Sequence, residues 1–408
     1  YGRQKRLGGD VEAEFETAEN EWEFEGEFNN SKTRQNGSGL GLNLSKILDN
    51  HQITAGLTFD QSTVSYHATE NEDCEVNAIR KVICDDDSET EDSAKVSGNS
   101  KTYSLFASDT AEVADRIYVT GSLRYNHTKV SNTLSTPDEV TEELEAQPKE
   151  TFKYTKLNPA IGVSAKLDNG VNLFANASQG NRVPTVIELG CADRDNPCLL
   201  PTGLQADPYL EQVTSRTYEI GARGRIGQGF GIVSVYNTDN KDDIIFVSTD
   251  VNSGEGFFTN FGKTRNKGVD LQIVQEFDNV RLTGTYSYLE ATYEENGLLF
   301  GERSVQAKPG MRLPGIPENV FRLGVDWTPQ DTLKIGVTVI ATSDLVTQGN
   351  EDGFIGGDDD VVARDASVDG YQLVNVNMRY EQSNNLTIFA RITNLFDEKY
   401  ETYGAMAE

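Results

Sequence analysis

The sequence predicts an all-β protein, a transmembrane antiparallel β-barrel, on three observations. Polar and apolar residues alternate with period two along most of the chain, the spacing that sends successive strand side chains to opposite faces. Short Asn/Asp/Gly turns alternate almost strictly with long polar excursions. No stretch approaches the roughly 18 to 20 apolar residues of a membrane helix, and a membrane-spanning barrel needs none because its hydropathy signal per segment is weak.

The strongest local alternation is Trp22 to Phe28, with Trp22, Phe24 and Phe28 opposing Glu23, Glu25 and Glu27. Later strands repeat it: Leu123 and Tyr125 against Ser122 and Arg124; Ile161 and Val163 against Ser164 and Lys166; Tyr218 and Ile220 against Glu219 and Arg223. Farther on come Leu282 and Tyr286 against Arg281, Phe321 and Val325 against Arg322 and Asp326, and Leu386 to Ile392 against Thr387 and Arg391. No helical periodicity of 3.6 competes with these. Tight turns are expected at Ala18 to Asn20, Asp49-Asn50, Ala114-Asp115, Asp168 to Gly170, Gly227 to Gly229, Asp278-Asn279, Pro329 to Asp331 and Gln382 to Asn385. The long excursions are Ala68 to Ser100, Ser131 to Glu150, Gly180 to Gln212, Glu294 to Pro317 and Ser343 to Asp369. A soluble sandwich has no reason to send every long loop to one end, whereas an outer-membrane barrel has short periplasmic turns and long extracellular loops. The connections delimit about sixteen strands, each long enough for the roughly 9 to 11 residues of a tilted membrane strand. Tyrosines and tryptophans near strand ends, such as Tyr66, Tyr125, Tyr288 and Trp327, suit aromatic girdles, although aromatics also favour strands in general.

Charge and cysteine usage narrow the function. The 408 residues carry 36 Lys+Arg against 65 Asp+Glu, a net charge of −29, which argues against nucleic acid. Four cysteines form two close pairs in polar stretches, Cys74/Cys84 and Cys191/Cys198. Each pair reads as a local disulfide of an oxidising compartment; the metal alternative would want CxxC or Cys/His spacing, and no His is near. The chain opens at Tyr1 without an initiating Met or export signal, so an upstream segment is expected.

No enzyme motif stands out. His51, His67 and His127 are assigned to separate strands, with no catalytic pattern around any of them. Gly37, Gly39 and Gly41 precede a strand pattern instead of a helix N-terminus, so they read as strand glycines that ease curvature and not as a phosphate cradle. The acidic run Glu70 to Asp92 and Asp358 to Asp360 could hold Ca²⁺ or bridge divalent cations to lipopolysaccharide, but lack EF-hand spacing and read as solvated loops. No cofactor and no metal site is expected. On the polar face, Arg124, Lys166, Arg223, Arg225, Arg281, Arg322, Lys334, Arg379 and Arg391 stand with Glu219, Asp270 and Asp326. Facing lipid, each charge would cost about 2 to 4 kcal/mol at the midplane, so these are expected to face the lumen.

Five stretches together resemble the barrel of the TonB-dependent outer-membrane receptor family. NLFANASQGNRVPTVIEL, Asn172 to Leu189, is similar to its S-x-G-x-R-x-P-t-x-x-E-L pattern, with Pro184 and Glu188 in place. DPYLEQVTSRTYEIGARG carries Glu219 of the following strand motif, and FFTNFGKTRNKGVDLQI carries Asn260, Gly262 and Gly268, with Asp270 where Glu is usual. RLPGIPENVFRLGVDW resembles the Pro-marked loop before a late strand. ITNLFDEKY is similar to N-L-F-D-x-x-Y, here Asn394, Leu395, Phe396, Asp397 and Tyr400.

The resemblance runs from about Leu157 to Tyr403 and implies a specific architecture. The family has a plug domain inside a 22-stranded barrel and a TonB box before the plug; neither resembles anything here. Residues 1–408 are therefore expected to be one incomplete receptor barrel, lacking plug, TonB box, first strands and last strand, and unable to close alone. The implied function is active import across a Gram-negative outer membrane of a scarce nutrient, above all a ferric siderophore or another iron chelate. The implied partners are the TonB complex acting through the plug, the small-molecule chelate, and outer-membrane lipid and lipopolysaccharide, with the receptor a monomer. At a strand exit, Gln179, Asn181 and Arg182 are the expected ligand-binding residues, since an Arg there could hydrogen-bond an anionic chelate. Cobalamin, haem or oligosaccharide uptake, a passive porin without energy coupling, and a secreted adhesin remain as alternatives.

Overall fold

A computed structural model describes residues 2–8, 11–16, 21–26, 29–71, 74–76, 82–84, 90–137, 144–190, 198–199, 210–248, 255–300, 305–355, 362–363, 366–383 and 385–404. The main sheet holds 19 strands, four of them short segments of the long loops: Leu144–Ala146, Cys198–Leu199, Gly297–Phe300 and Val305–Ala307. The other fifteen form one meander, in line with the roughly sixteen expected. They are β1 (Gly2–Gly8), β2 (Asn29–Leu48), β3 (His51–Glu70), β4 (Glu91–Ala114), β5 (Ile117–Pro137), β6 (Glu150–Lys166), β7 (Asn172–Arg182) and β8 (Val213–Ile226). There follow β9 (Gly229–Ser248), β10 (Glu255–Phe277), β11 (Val280–Tyr293), β12 (Asn319–Gln330), β13 (Leu333–Thr342), β14 (Tyr371–Ser383) and β15 (Leu386–Ile392). Each pairs antiparallel with the next, from β1–β2 to β14–β15. One helical turn, α1 (Val186–Gly190), follows β7.

Two faces of opposite chemistry result from the alternation. Leu42, Leu57, Leu105, Leu123, Ile161, Ile220, Val235 and Leu271 are exposed on one face and form a continuous apolar band. Such a band in water would be an aggregation site; around a barrel it is the lipid-facing surface. The opposite face carries the charges assigned to the lumen, including Arg124, Arg223, Arg281 and Arg322, in the alternate registers of the same strands. The short turns lie at one end, and left-handed residues close several of them: Asp49 (φ 46°), Arg116 (φ 62°), Gly170 (φ 82°), Gly227 (φ 59°) and Asp278 (φ 22°). Asp and Gly tolerate that conformation best, so the turn chemistry agrees with the chain reversal.

The structure corrects several boundaries. β4 runs 24 residues and β10 runs 23, so the strands continue well past the membrane-crossing length into what the sequence assigned to loops. Glu91 to Ser100 is strand, not loop. A further long-end connection, between Ser248 and Glu255, interrupts a stretch for which no loop was expected. Glu21–Gly26, within the strongest alternation, lies outside the main sheet in a four-stranded one with Val11–Glu16, Cys74–Val76 and Val82–Cys84. Cys74 and Cys84 are not in loop: they are paired residues of that small sheet, joined by a disulfide with Cα atoms 3.8 Å apart. Of the second pair, Cys191 lies outside the described residues, and Cys198 pairs through its backbone with Gly256. His51 and His67 share β3, contrary to the separate strands expected. Asp358 to Asp360 lie outside the described residues.

Candidate functional site

Beyond the apolar band at the long-loop end, the chain leaving β7 folds over the lumen-side face of its neighbours. Val186 and Leu189 of α1 bury themselves with Val64 and Tyr66 of β3, Val96 of β4, and Val130 and Leu134 of β5. All five strand residues lie in the register opposite the exposed apolar residues of their strands. A Cβ on Gly98 would sit 2.6 Å from Val186, so glycine permits the close approach of α1 to β4. α1 begins with a reciprocal cap: the Glu188 amide donates to Thr185 Oγ1 at 3.0 Å, and the Thr185 amide donates to Glu188 Oε2 at 2.7 Å.

The three residues expected at the strand exit occupy different settings. Arg182 Nη1 donates to both oxygens of Glu188 at 2.8 Å. Glu188 is the more buried partner, so the guanidinium neutralises a carboxylate drawn in by α1. Asn181 Oδ1 accepts from Asn126 Nδ2 at 2.9 Å and Asn158 Nδ2 at 2.7 Å, while its own Nδ2 donates to Gln212 Oε1 at 3.0 Å. Gln212 in turn donates to the Thr155 carbonyl at 2.9 Å. Gln179 sits in register with Leu173 and Ala177 on the outward face, where Arg216 donates to it at 3.3 Å. Asn181 thus joins a side-chain network of β5, β6 and Gln212, Arg182 makes a separate pair with Glu188, and Gln179 donates to the Leu157 carbonyl at 3.0 Å.

Residues that the sequence did not single out complete the wall that α1 and these side chains form. Tyr154 donates to the Leu210 carbonyl at 2.9 Å. Burial, then the charges of Glu211 and Glu188, pushes its phenol pKa up and keeps it a donor. Asn126, Asn158 and Gln212 carry no motif, and their convergence depends on the register of β5 with β6, which local pattern does not encode.

The family-type positions act on the same framework. Asn260 accepts from the Glu211 amide at 2.7 Å and donates to the carbonyls of Glu211 and Asp242, pinning the entry to β8 against β9. Gly268 faces Tyr288, whose carbonyl oxygen would lie 2.2 Å from an added Cβ. Gly262 faces the Glu295 carboxylate, a side-chain end that can move aside. Glu219 accepts from Asn176 at 3.4 Å, and Asp270 from the Ser287 hydroxyl. Pro184 is fully buried. Asn394 (φ 53°) and Asp397 (φ 54°) shape the closing turn: Asn394 exchanges hydrogen bonds with the Glu398 backbone at 2.9 Å, and Leu395 donates to Val374 at 2.8 Å. Phe396 is exposed, and Tyr400 packs on Tyr371 with ring centroids 4.4 Å apart. Among the described residues, no group of three or more His, Cys, Asp or Glu is placed to hold a metal ion. His51 pairs with Asp109 and His67 with Asp92.

The family described as TonB dependent receptor-like, beta-barrel matches residues 5–395. The chain belongs to this family. Its members are outer-membrane proteins of Gram-negative bacteria, and the chain is an outer-membrane protein with the strands of such a barrel. The catecholate siderophore receptor Fiu of Escherichia coli (strain UTI89 / UPEC) is 20% identical over 328 residues, 76% of this chain and 40% of that protein. The crystal structure of the ferric-catecholate import receptor Fiu from E. coli K12, in its closed form, superposes with a TM-score of 0.67 at 15% identity, covering 99% of this chain and 57% of Fiu. The ferric yersiniabactin uptake receptor FyuA from Yersinia pestis superposes with a TM-score of 0.65 at 15% identity, covering 95% and 54%. The chain thus spans about half the length of these relatives, and at such identities the likeness shows the fold alone.

Proposed function

We propose that this TonB-dependent receptor barrel serves the active import of a ferric siderophore or a similar iron chelate. The observation that carries this reading is the in-folded wall of α1, Asn181, Arg182 and Gln212. A receptor needs a fixed surface at its mouth, and this wall would supply one. The iron-chelate receptors among the relatives favour that cargo. In this reading Asn181 and Arg182 position the wall that the chelate meets. The lumen charges Arg124, Arg223 and Arg281 dock a plug domain, through which the inner-membrane TonB complex supplies work.

Deleting the gene should abolish growth under iron limitation on one class of ferric chelate, and removing TonB should give the same defect. Unchanged growth on every iron chelate overturns the cargo. Uptake that persists without TonB overturns the energised mechanism and favours a porin.

A further inference from the structure

A second in-folded cluster lies at the long-loop end of β9 to β11. Tyr293, which closes β11, lies in the opposite register to Tyr286, the partner of the lipid-facing Leu271. Its ring stands edge-on to Phe261 of β10, with centroids 5.0 Å apart. A Cβ on Gly297 would lie 2.4 Å from the Phe261 ring, so glycine lets the short strand Gly297–Phe300 settle over the pair. The Tyr293 amide donates to the Met311 carbonyl and the Leu313 amide to the Ala291 carbonyl, each at 2.9 Å, which fixes the returning chain beside β11. Next to this cluster is a cavity of about 210 Å³. Ile245, Phe246, Leu299, Leu313 and Pro314 give it apolar walls.

Two polar groups near the cavity lack a complement. Tyr293 lines it and is only 4% exposed, yet its hydroxyl has no hydrogen-bond partner among the described residues. Burial, then the charges of Glu351 and Asp243, pushes its phenol pKa up, so the hydroxyl stays protonated near two carboxylates. Glu351 also lines the cavity, with Oε2 accepting from the Gly349 amide at 3.1 Å. Asp243 accepts from Thr264 Oγ1 at 2.5 Å and from the Ile244 amide at 3.0 Å, but no cation pairs with it among the described residues. Charges drawn out of water are as a rule paired, and here an apolar chamber stands open beside them.

We propose that this cavity binds a small arylalkyl amine, its ring among the apolar side chains and its ammonium against Glu351 and the Tyr293 oxygen. The size fits: a dry cavity of about 150 Å³ accepts benzene, so one of about 210 Å³ holds a single ring with a short arm. The charge fits as well. An ammonium carries three donors for carboxylate and phenol oxygens, and the rings of Tyr293 and Phe246 attract a cation over their faces. A bare divalent ion such as Ca²⁺, which takes about six to eight oxygens, finds too few in such walls. An anion meets two like charges. The cavity is therefore distinct from the wall that α1 builds against β3 to β5, and the inference is independent of the cargo.

The test uses the protein as its gene encodes it, folded in detergent, with binding read by isothermal titration calorimetry. Phenethylamine, its neutral isostere 2-phenylethanol, the anion phenylacetate and the ringless butylamine are the probes. Phenethylamine should bind with a Kd on the order of 0.1 mM, and 2-phenylethanol and butylamine about ten-fold more weakly. Phenylacetate should not bind. Glu351→Gln should reduce phenethylamine to the level of the alcohol, and Tyr293→Phe should weaken it about five-fold. Leu313→Trp, which fills the cavity, should abolish binding of every probe. Heat-modifiable migration confirms folding, and Glu351→Gln alone serves if Leu313→Trp fails to fold. No saturable phenethylamine binding to the wild type, phenylacetate binding as tightly as the amine, or amine binding unchanged by Glu351→Gln overturns the proposal.

Discussion

Two stretches of the outward face, at the same height above the apolar band, solve the problem of charge in opposite ways. On β9 to β11 the row is cross-paired: Arg265 reaches Asp239 and Glu294, each at 2.7 Å, Lys263 reaches Asp239 at 3.3 Å, and Lys267 reaches Glu290 at 2.8 Å. On β4 to β6 the row is lysine alone. Both follow from the same alternation and the same antiparallel pairing, so backbone architecture does not separate them. What separates them is the counter-charge: among the described residues the first region carries its own carboxylates, whereas Lys101, Lys129 and Lys153 face one another in register with no carboxylate paired to them.

The lysine region is held from the lumen side, where Leu189 of α1 is almost wholly buried against β3 to β5. Leu189→Ala should therefore have the largest effect, destabilising by about 2 to 5 kcal/mol through lost burial and the cavity left behind. Denaturant titration in detergent measures it, and hydrogen exchange should show α1 and its strand contacts opening first. An unchanged midpoint would mean that the in-folded loop is not coupled to the sheet. Next in size is Arg265→Ala, which leaves Asp239 and Glu294 facing each other without their shared cation. About 1 kcal/mol should be lost, less at high salt because partly exposed pairs are screened. The mirror experiment is Lys129→Glu, which turns the lysine row into Lys-Glu-Lys and should raise lipid-free stability by about 0.2 to 1 kcal/mol. Stability that falls instead would mean the lysines are not in conflict.

These contrasts depend on register, which explains what the sequence revealed and what it withheld. The barrel class, the lumen face and the turns were legible because period-two alternation and Asn/Asp/Gly reversals are local. Arg124, Arg223 and Arg322 could be assigned to the lumen from their own strands alone. Local pattern could not tell that Trp22 and its neighbours pair outside the main sheet, since any strand alternates wherever it docks. Nor could it set strand ends: Glu91 to Ser100 is polar enough for a loop, yet pairing with β3 and β5 keeps it extended. Lys101, Lys129 and Lys153 lie in three separate segments, and only cross-strand pairing brings them together. The wall residues Asn126 and Asn158 were hidden for the same reason, although Asn181, Arg182 and Glu188 were visible from the strand exit and its motif.

The smallest effect, and the most local discriminator of the two regions, is their response to acid. Asp239 lies four residues beyond Val235, clear of the apolar band. Partial burial pushes its pKa up, but hydrogen bonds from Arg265 and Lys263 outweigh that and hold it below the ordinary 3.8. A carboxyl whose folded pKa is depressed contributes stability that is fully present above its unfolded value. That contribution is lost as pH falls below 3.8 and through the folded value, when the proton displaces the two cations. Among the described residues no carboxylate pairs with the lysine row, so it offers no such loss. Amides of β9 to β11 near Asp239 should therefore lose exchange protection at a higher pH than those of β4 to β6 near Lys129, once intrinsic exchange rates are divided out. Replacing Asp239 with Asn should abolish the difference. If both regions soften together in the wild type, the paired ladder is not a locally independent source of stability.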